Sequence, residues 1–144
     1  MCRPRCHMPA GSVVIPDMKA LTALVVIHLA LSFVHGAAHA GANVTLGPAG
    51  NLFVYIVILA GPIVGLVIAL RRPRLGLSLV ALTMSGSLVF GVVNHFIIQG
   101  TDHVSHVAAP WRTQFAVTAA LLAVVEAAGA IIGLRDAIRV RRAS

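Results

Sequence analysis

Charged residues are scarce in this sequence. Asp, Glu, Lys and Arg make up 10% of its 144 residues, whereas 58% are hydrophobic and the mean hydropathy is +0.94. A soluble domain carries about 25% charged residues, so this composition is that of a membrane protein. The length allows at most one domain.

Aromatic residues and cysteines are also few, and each shortage excludes a class of site. Aromatics make up 5% of the chain, which argues against a surface built for base stacking. Both cysteines, Cys2 and Cys6, lie in the N-terminal tail, where a soft metal site with His7 is less favoured than an incidental occurrence. The sequence also contains no phosphate-binding loop, dinucleotide fingerprint or nucleophile elbow. Whether the protein is an enzyme stays open.

Four apolar runs are present instead, at about residues 20–40, 51–70, 75–98 and 113–134. Each has about the 20 residues that a bilayer requires. Because the connections are short, neighbouring helices should be antiparallel. We therefore predict an all-α membrane protein: a four-helix up-down-up-down bundle over residues 18–136, kinked at Gly61-Pro62. Residues 1–17 are expected to form a disordered tail, with Met18 a plausible true start, and residues 137–144 a basic cytoplasmic tail.

The basic residues lie almost entirely on one side of the predicted membrane. Only Arg112 lies on the other side. The positive-inside rule then places both termini in the cytoplasm, with the plasma membrane as the expected location. This topology also accounts for the net charge of +7 without a nucleic-acid partner. The residues on the cytoplasmic side are Arg3, Arg5, Lys19, Arg71, Arg72, Arg74, Arg135, Arg139, Arg141 and Arg142.

The first apolar run permits two interpretations. Its basic start, apolar middle and Ala38-His39-Ala40 ending are typical of a signal peptide. Three histidines on one helical face are an unusual feature for a discarded leader. We therefore favour a retained transmembrane helix.

Histidine spacing repeats between the first and third runs. His28, His35 and His39 are separated by seven and then four residues, and so are His95, Asp102 and His106. On a helix such spacings keep all three members within roughly 40° of one face. The two runs should be parallel, which brings these faces together at the extracytoplasmic end. Imidazole and carboxylate donors suit Zn, Cu or Fe. The predicted metal ligands are His35, His39, His95, Asp102, His103 and His106. Asn94 is expected to contact these ligands and not the ion itself.

Gly100 leaves the outer half of this site open to two interpretations. If the helix continues, Asp102 and His106 lie on successive turns and both can bind the ion. If the helix breaks at Gly100, Thr101 or Asp102 can cap a short helix, and His103 or His106 binds instead.

A second polar layer is expected deeper in the membrane. His28 and Glu126 should lie at matching depth, near Ser85 and Ser87. An intramembrane carboxylate usually faces the bundle interior with a partner, so we predict that Glu126 pairs with His28. The alternative is a protonated Glu126 bonded to a backbone carbonyl.

These features favour a small membrane protein with a histidine- and aspartate-rich transition-metal site, acting as a metal-handling or redox accessory subunit. One alternative is a redox subunit that binds haem b between His35 and His95, or a quinone. Another is a proton- or cation-coupled small transporter that uses Glu126 and His28. A third is a structural subunit of a larger complex or homo-oligomer, in which the histidines only hydrogen-bond head groups and loops. The lipid bilayer is the expected partner throughout.

Overall fold

The computed structural model describes residues 18–143, which form four helices and no strand. The predicted disordered tail, Cys2 and Cys6 lie outside the described residues. All four helices are long and apolar enough to cross a membrane. They are α1 (Met18–Gly41), α2 (Pro48–Ala69), α3 (Pro73–Ile97) and α4 (Ala109–Ala143).

The first three helices lie within three residues of their predicted bounds, but α4 is longer at both ends. It begins at Ala109 and continues nine residues past Leu134 to Ala143. Pro110 is tolerated in its first turn, where the backbone N–H groups have no intrahelical partner. The arginines after Leu134 end the apolar run without ending the helix, because arginine is a good helix former. Most of the predicted basic tail is therefore helical.

The helices pack in an open arrangement around α4 and α3. Helix α4 packs against both α1 and α3, and α3 also packs against α2, whereas α1 and α2 barely contact each other. The separation between α1 and α2 leaves room for a cavity. The larger of two clusters of buried apolar residues draws on all four helices and consists of Leu21, Val25, Ala69, Leu77, Val80, Met84 and Ala137.

Glycines allow α3 to approach its neighbours closely. A Cβ at Gly76 would run into the backbone of Ala69 and Gly65 in α2, and a Cβ at Gly129 would lie 2.6 Å from the Met84 side chain. The two GxxxG pairs, in α2 and α4, thus both face α3. Such pairs let helix backbones meet. They are Gly61 with Gly65, and Gly129 with Gly133.

Two helices contain a π-helical stretch next to the cavity. In α2 it covers Val54–Ala60, directly before the Gly61-Pro62 pair at which a kink was predicted. Pro62 has no N–H, so the carbonyl of Ile58 lacks its α-helical donor. In α3 the π-helical stretch covers Val93–Ile97, and the Ile98 N–H donates to the Val93 carbonyl. π-Helical turns often occur at functional sites.

Large apolar side chains lie on the surface of the described helices, and many polar ones lie inside. Large apolar side chains are exposed on all four helices, among them Phe33, Tyr55, Leu82 and Val124. The buried positions also include many polar groups, which are His28, His35, Thr83, Ser87, His95, Asp102, His103, Thr118, Glu126 and Asp136. A water-soluble bundle would show the reverse pattern.

Candidate metal centre

Three histidine side chains from two helices converge at one point. His35 Nε2 lies 3.2 Å from His95 Nε2 and 3.2 Å from His39 Nε2. One ligand atom of each lies within 4.8 Å of the others, a grouping that can hold a metal ion. His35 and His39 lie one turn apart on α1, as their four-residue spacing predicts. His95 comes from the π-helical end of α3.

The tautomer of His35 follows from its contact with α4. His35 Nδ1 lies 2.8 Å from Thr118 Oγ1, and the Thr118 hydroxyl donates to the Gln114 carbonyl at 2.7 Å. Since that hydroxyl has one hydrogen, it must accept from His35 Nδ1–H. His35 Nε2 then carries a lone pair and is free to act as a ligand.

His95 is oriented in the same way by the loop after α3. Its Nδ1 lies 3.1 Å from the Asp102 carbonyl, which can only accept, and 3.3 Å from the carboxylate oxygen Oδ2 of the same residue. His95 Nδ1 therefore carries the hydrogen, and its Nε2 carries a lone pair. A ligand histidine whose other nitrogen donates to a carbonyl or carboxylate is the usual arrangement around a protein-bound metal.

The convergence of lone pairs requires a positive charge between them. His35 Nε2 and His95 Nε2 face each other at 3.2 Å with no hydrogen to share when both rings are neutral. Metal–nitrogen bonds of 2.0–2.1 Å at tetrahedral angles place two nitrogens about 3.3 Å apart. The observed separation matches that of two ligands on one ion, and it is also that of an N–H···N hydrogen bond when one of the two rings is protonated.

Asp102 adds a carboxylate to the edge of the histidine cluster. Its side chain is buried, and neither carboxylate oxygen has a hydrogen-bond partner. Asp102 Oδ1 lies 3.4 Å from His39 Nε2. A buried carboxylate is unfavourable unless a cation is close, and either a metal ion at the cluster or a protonated His39 would supply that cation.

The loop, rather than a helix, brings Asp102 to this position. At Ile98 the backbone becomes extended, with ψ of 122°, and the chain folds back so that the Val104 N–H donates to the His95 carbonyl. The helix therefore ends before Gly100, which is the second of the two possibilities that the sequence left open. The seven-plus-four spacing of His95, Asp102 and His106 is thus not a helical repeat.

The remaining predicted ligands lie outside the cluster. His103 contacts Gln99 and Ser105 through its two ring nitrogens. His106 is exposed and its Nδ1 lies 2.6 Å from the Gly100 carbonyl. Asn94 donates to the Phe90 carbonyl of its own helix.

Two residues of α4 that sequence reasoning missed complete the wall of the cluster. Thr118 orients His35, and the Phe115 ring lies 4.7–4.9 Å from the rings of all three cluster histidines. Their three-residue spacing puts both on one helical face, which also carries Glu126. That shared face was the available signal, but threonine and phenylalanine in an apolar helix are not distinctive.

A cavity of ≈ 400 Å³ extends from the cluster between α1 and α2. The histidines and Asp102 line one end of it, and Ser32, Ile58, Ser87 and Glu126 line the other. Its polar groups are few and its wall is mainly apolar, as in typical small-molecule and cofactor sites.

The predicted deep pair lies behind the far end of this cavity. His28 Nδ1 is 3.4 Å from Glu126 Oε1, and both side chains are buried. His28 Nε2 lies 2.9 Å from the Ile58 carbonyl, the one that Pro62 deprives of its donor. Ser87 is buried near the pair, whereas Ser85 is exposed.

Comparisons of the chain with protein-family models, curated proteins and solved structures gave no match.

Proposed function

We propose that this protein is an integral membrane protein that binds one divalent transition-metal ion through His35, His39 and His95, as a metal-handling or redox accessory subunit. The observation that carries the proposal is the convergence of three imidazole Nε2 atoms, two of them made lone-pair donors by the hydrogen bonds of their Nδ1 atoms. The buried Asp102 carboxylate, whose oxygens lie 3.3–3.4 Å from His95 and His39, supports it.

The donor set favours a borderline metal. Imidazole with carboxylate suits Zn(II), Cu(II) or Fe(II), and no cysteine or methionine lines the cavity among the described residues, which argues against a Cu(I) site. Three protein ligands leave a fourth position open for water or another small ligand on the cavity side. If Asp102 takes that position, the site is closed and its task is storage or transfer of the ion.

Haem b is less well supported than a single ion. The axial histidines of a haem lie on opposite faces of the macrocycle, which must pass between them. His35 and His95 are in direct contact, with ring centroids 4.9 Å apart, and His39 contacts both. A haem would therefore have to separate the three rings.

The exposed apolar surface and the four long apolar helices support insertion into a bilayer. Contacts of His35 with Thr118 and of His28 with Glu126 follow α1 and α4 in opposite directions, which supports the up-down course. The positive-inside rule then puts the termini in the cytoplasm and the histidine cluster at the extracytoplasmic end, where an ion can be received from outside the cell. The exposed apolar faces also leave room for a partner subunit or a second copy.

Metal analysis of the detergent-purified protein tests the proposal. We expect about one transition-metal ion per chain, because three imidazoles and a carboxylate form one site. The variants His35→Ala and His95→Ala should lose the ion, whereas His103→Ala and His106→Ala, which remove histidines outside the cluster, should keep it.

The absence of a stoichiometric ion from the wild type after metal loading would overturn the proposal. So would equal metal content in the cluster and control variants. A visible spectrum of the same samples distinguishes haem from a single ion.

A further inference from the structure

We infer that His28 and Glu126 form a proton-binding site, and that metal binding at the histidine cluster releases its proton into the shared cavity. The inference rests on the proposed function, since it requires an ion at the cluster. It adds a second site, with the proton as its ligand, and a coupling between the two.

His28 carries a hydrogen on Nε2. The Ile58 carbonyl can only accept a hydrogen bond, so His28 Nε2 carries a hydrogen and donates to it at 2.9 Å. Neutral His28 therefore has its lone pair at Nδ1. That atom is buried, makes no hydrogen bond and lies 3.4 Å from Glu126 Oε1.

The buried pair of His28 and Glu126 requires one further proton to be electrically neutral. Glu126 is buried, and its ion-pair partner among residues 18–143 is His28. A carboxylate and a neutral imidazole would together place one uncompensated negative charge in the apolar interior, which is costly. One proton shared between Glu126 Oε1 and His28 Nδ1 makes the pair neutral overall, whichever of the two atoms holds it.

The cavity gives that proton a path away from Glu126. Glu126 lines the far end of the cavity that begins at the cluster, beside Ser87. Ser87 donates its own hydrogen to the Thr83 carbonyl, so it offers only lone pairs to a proton or water. Besides Glu126, the titratable groups along this cavity are those of α1, α2, α3 and the loop after α3, namely His35, His39, Tyr55, His95 and Asp102.

The histidine cluster and the His28–Glu126 pair are close enough to affect each other electrostatically. His28 and His35 are seven residues apart on α1, or about 10 Å along the helix axis. An ion with two positive charges at the cluster acts on the pair through an apolar interior, where charges are weakly screened. The added positive charge favours the carboxylate of Glu126, so the O–H or N–H bond of the shared proton breaks. The proton leaves through the cavity, and the negative charge stays on Glu126.

Counting protons released on metal binding tests this inference. Zn(II) is added to metal-free protein in detergent with a pH indicator and little buffer, and the protons released per bound ion are counted. Glu126→Gln should release about one proton fewer per ion than the wild type, with the same metal stoichiometry. The control is Asp136→Asn, which alters a second buried carboxyl of α4 that lies beside Arg135 and Arg139 and does not line the cavity. It should release as many protons as the wild type.

Equal proton release from Glu126→Gln and wild type at equal metal occupancy would overturn the inference and leave the proposed function intact. Failure of the wild type to bind Zn(II), Cu(II) and Fe(II) would instead overturn the proposed function, and this inference with it. If Glu126→Gln does not fold, infrared difference spectra of the wild type serve instead. Metal addition should abolish either the carbonyl band of a protonated Glu126 or the ring bands of a protonated histidine, and unchanged bands in both regions would contradict the inference.

Discussion

His35 uses its two ring nitrogens for different purposes. One contacts the hydroxyl of Thr118, and the other contacts two further histidines. The hydrogen bond to Thr118 thus lets α4, which contributes no histidine to the cluster, set the tautomer of His35. Partners of this kind commonly change metal affinity 10- to 100-fold when they are removed.

Thr118→Val should weaken metal binding without abolishing it. The variant keeps the shape of the side chain but removes the acceptor for His35 Nδ1–H, so the ring loses its fixed tautomer. We expect affinity for Zn(II) to fall by roughly 10- to 100-fold at unchanged stoichiometry, as measured by competition with a chelating dye. Thr83→Val is the matched control, because Thr83 is equally buried and donates only to carbonyls of its own helix. Equal loss of affinity in both variants would contradict the assigned role.

At the scale of elements, small residues and irregular turns position the site. Glycines of α2 and α4 face α3 and allow both helices to pack closely against it. Helix α1 packs mainly against α4. The cavity between α1 and α2 is a consequence of this arrangement. The π-helical stretches contain Ile58, whose carbonyl contacts His28, and His95, whose ring contacts His35.

Gly76→Ala should destabilise the bundle. The added Cβ would overlap with the backbone of Ala69, and a backbone cannot move aside as a flexible side chain can. Overpacking of this kind costs about 1–3 kcal/mol of unfolding free energy. Thermal unfolding of metal-free protein in detergent measures it.

Gly36→Ala is the control for this prediction, because nothing lies within 4 Å of the position of its Cβ. Replacing a glycine by alanine inside an unobstructed helix stabilises it by about 0.5–1 kcal/mol. The two variants should therefore shift the melting temperature in opposite directions. A shift of the same sign and size would contradict the close approach of α2 and α3.

At the scale of the whole molecule, the predicted topology decides from which side an ion arrives. The cluster lies at the end of α1 near Gly41 and under the loop that joins α3 to α4. If the termini are cytoplasmic, that loop is extracytoplasmic.

Cysteine labelling in intact cells checks this topology. With Cys2 and Cys6 replaced by serine, a cysteine at exposed Thr101 should react with a membrane-impermeant maleimide added outside. A cysteine at exposed Arg141 should react only after permeabilisation. The reverse pattern would place the cluster at the cytoplasmic face.

The fate of α1 has an equally clear test. Cleavage after Ala40 would remove His28, His35 and His39 together, and with them two of the three cluster ligands. We expect the intact mass of the purified protein to include α1, and a protein that begins at Gly41 should retain no metal.

Composition and hydropathy were sufficient to predict four apolar helices and the bounds of the first three. The four-residue spacing of His35 and His39 was sufficient to predict that they share a face, because a helix repeats every 3.6 residues. The matching depth of His28 and Glu126 also followed from counting along helices. These are local properties, and the sequence expresses them directly.

The tertiary structure alone determined which polar groups meet. Whether Asp102 continues a helix or folds back depended on the break after Ile97, and hence on the loop packing against α3. Thr118, the Phe115 wall and the cavity between α1 and α2 contribute through contacts between different helices, or through the absence of such contacts. No spacing rule covers these, because the packing of α4 between α1 and α3 sets them, and that packing depends on the shapes of all the side chains at once.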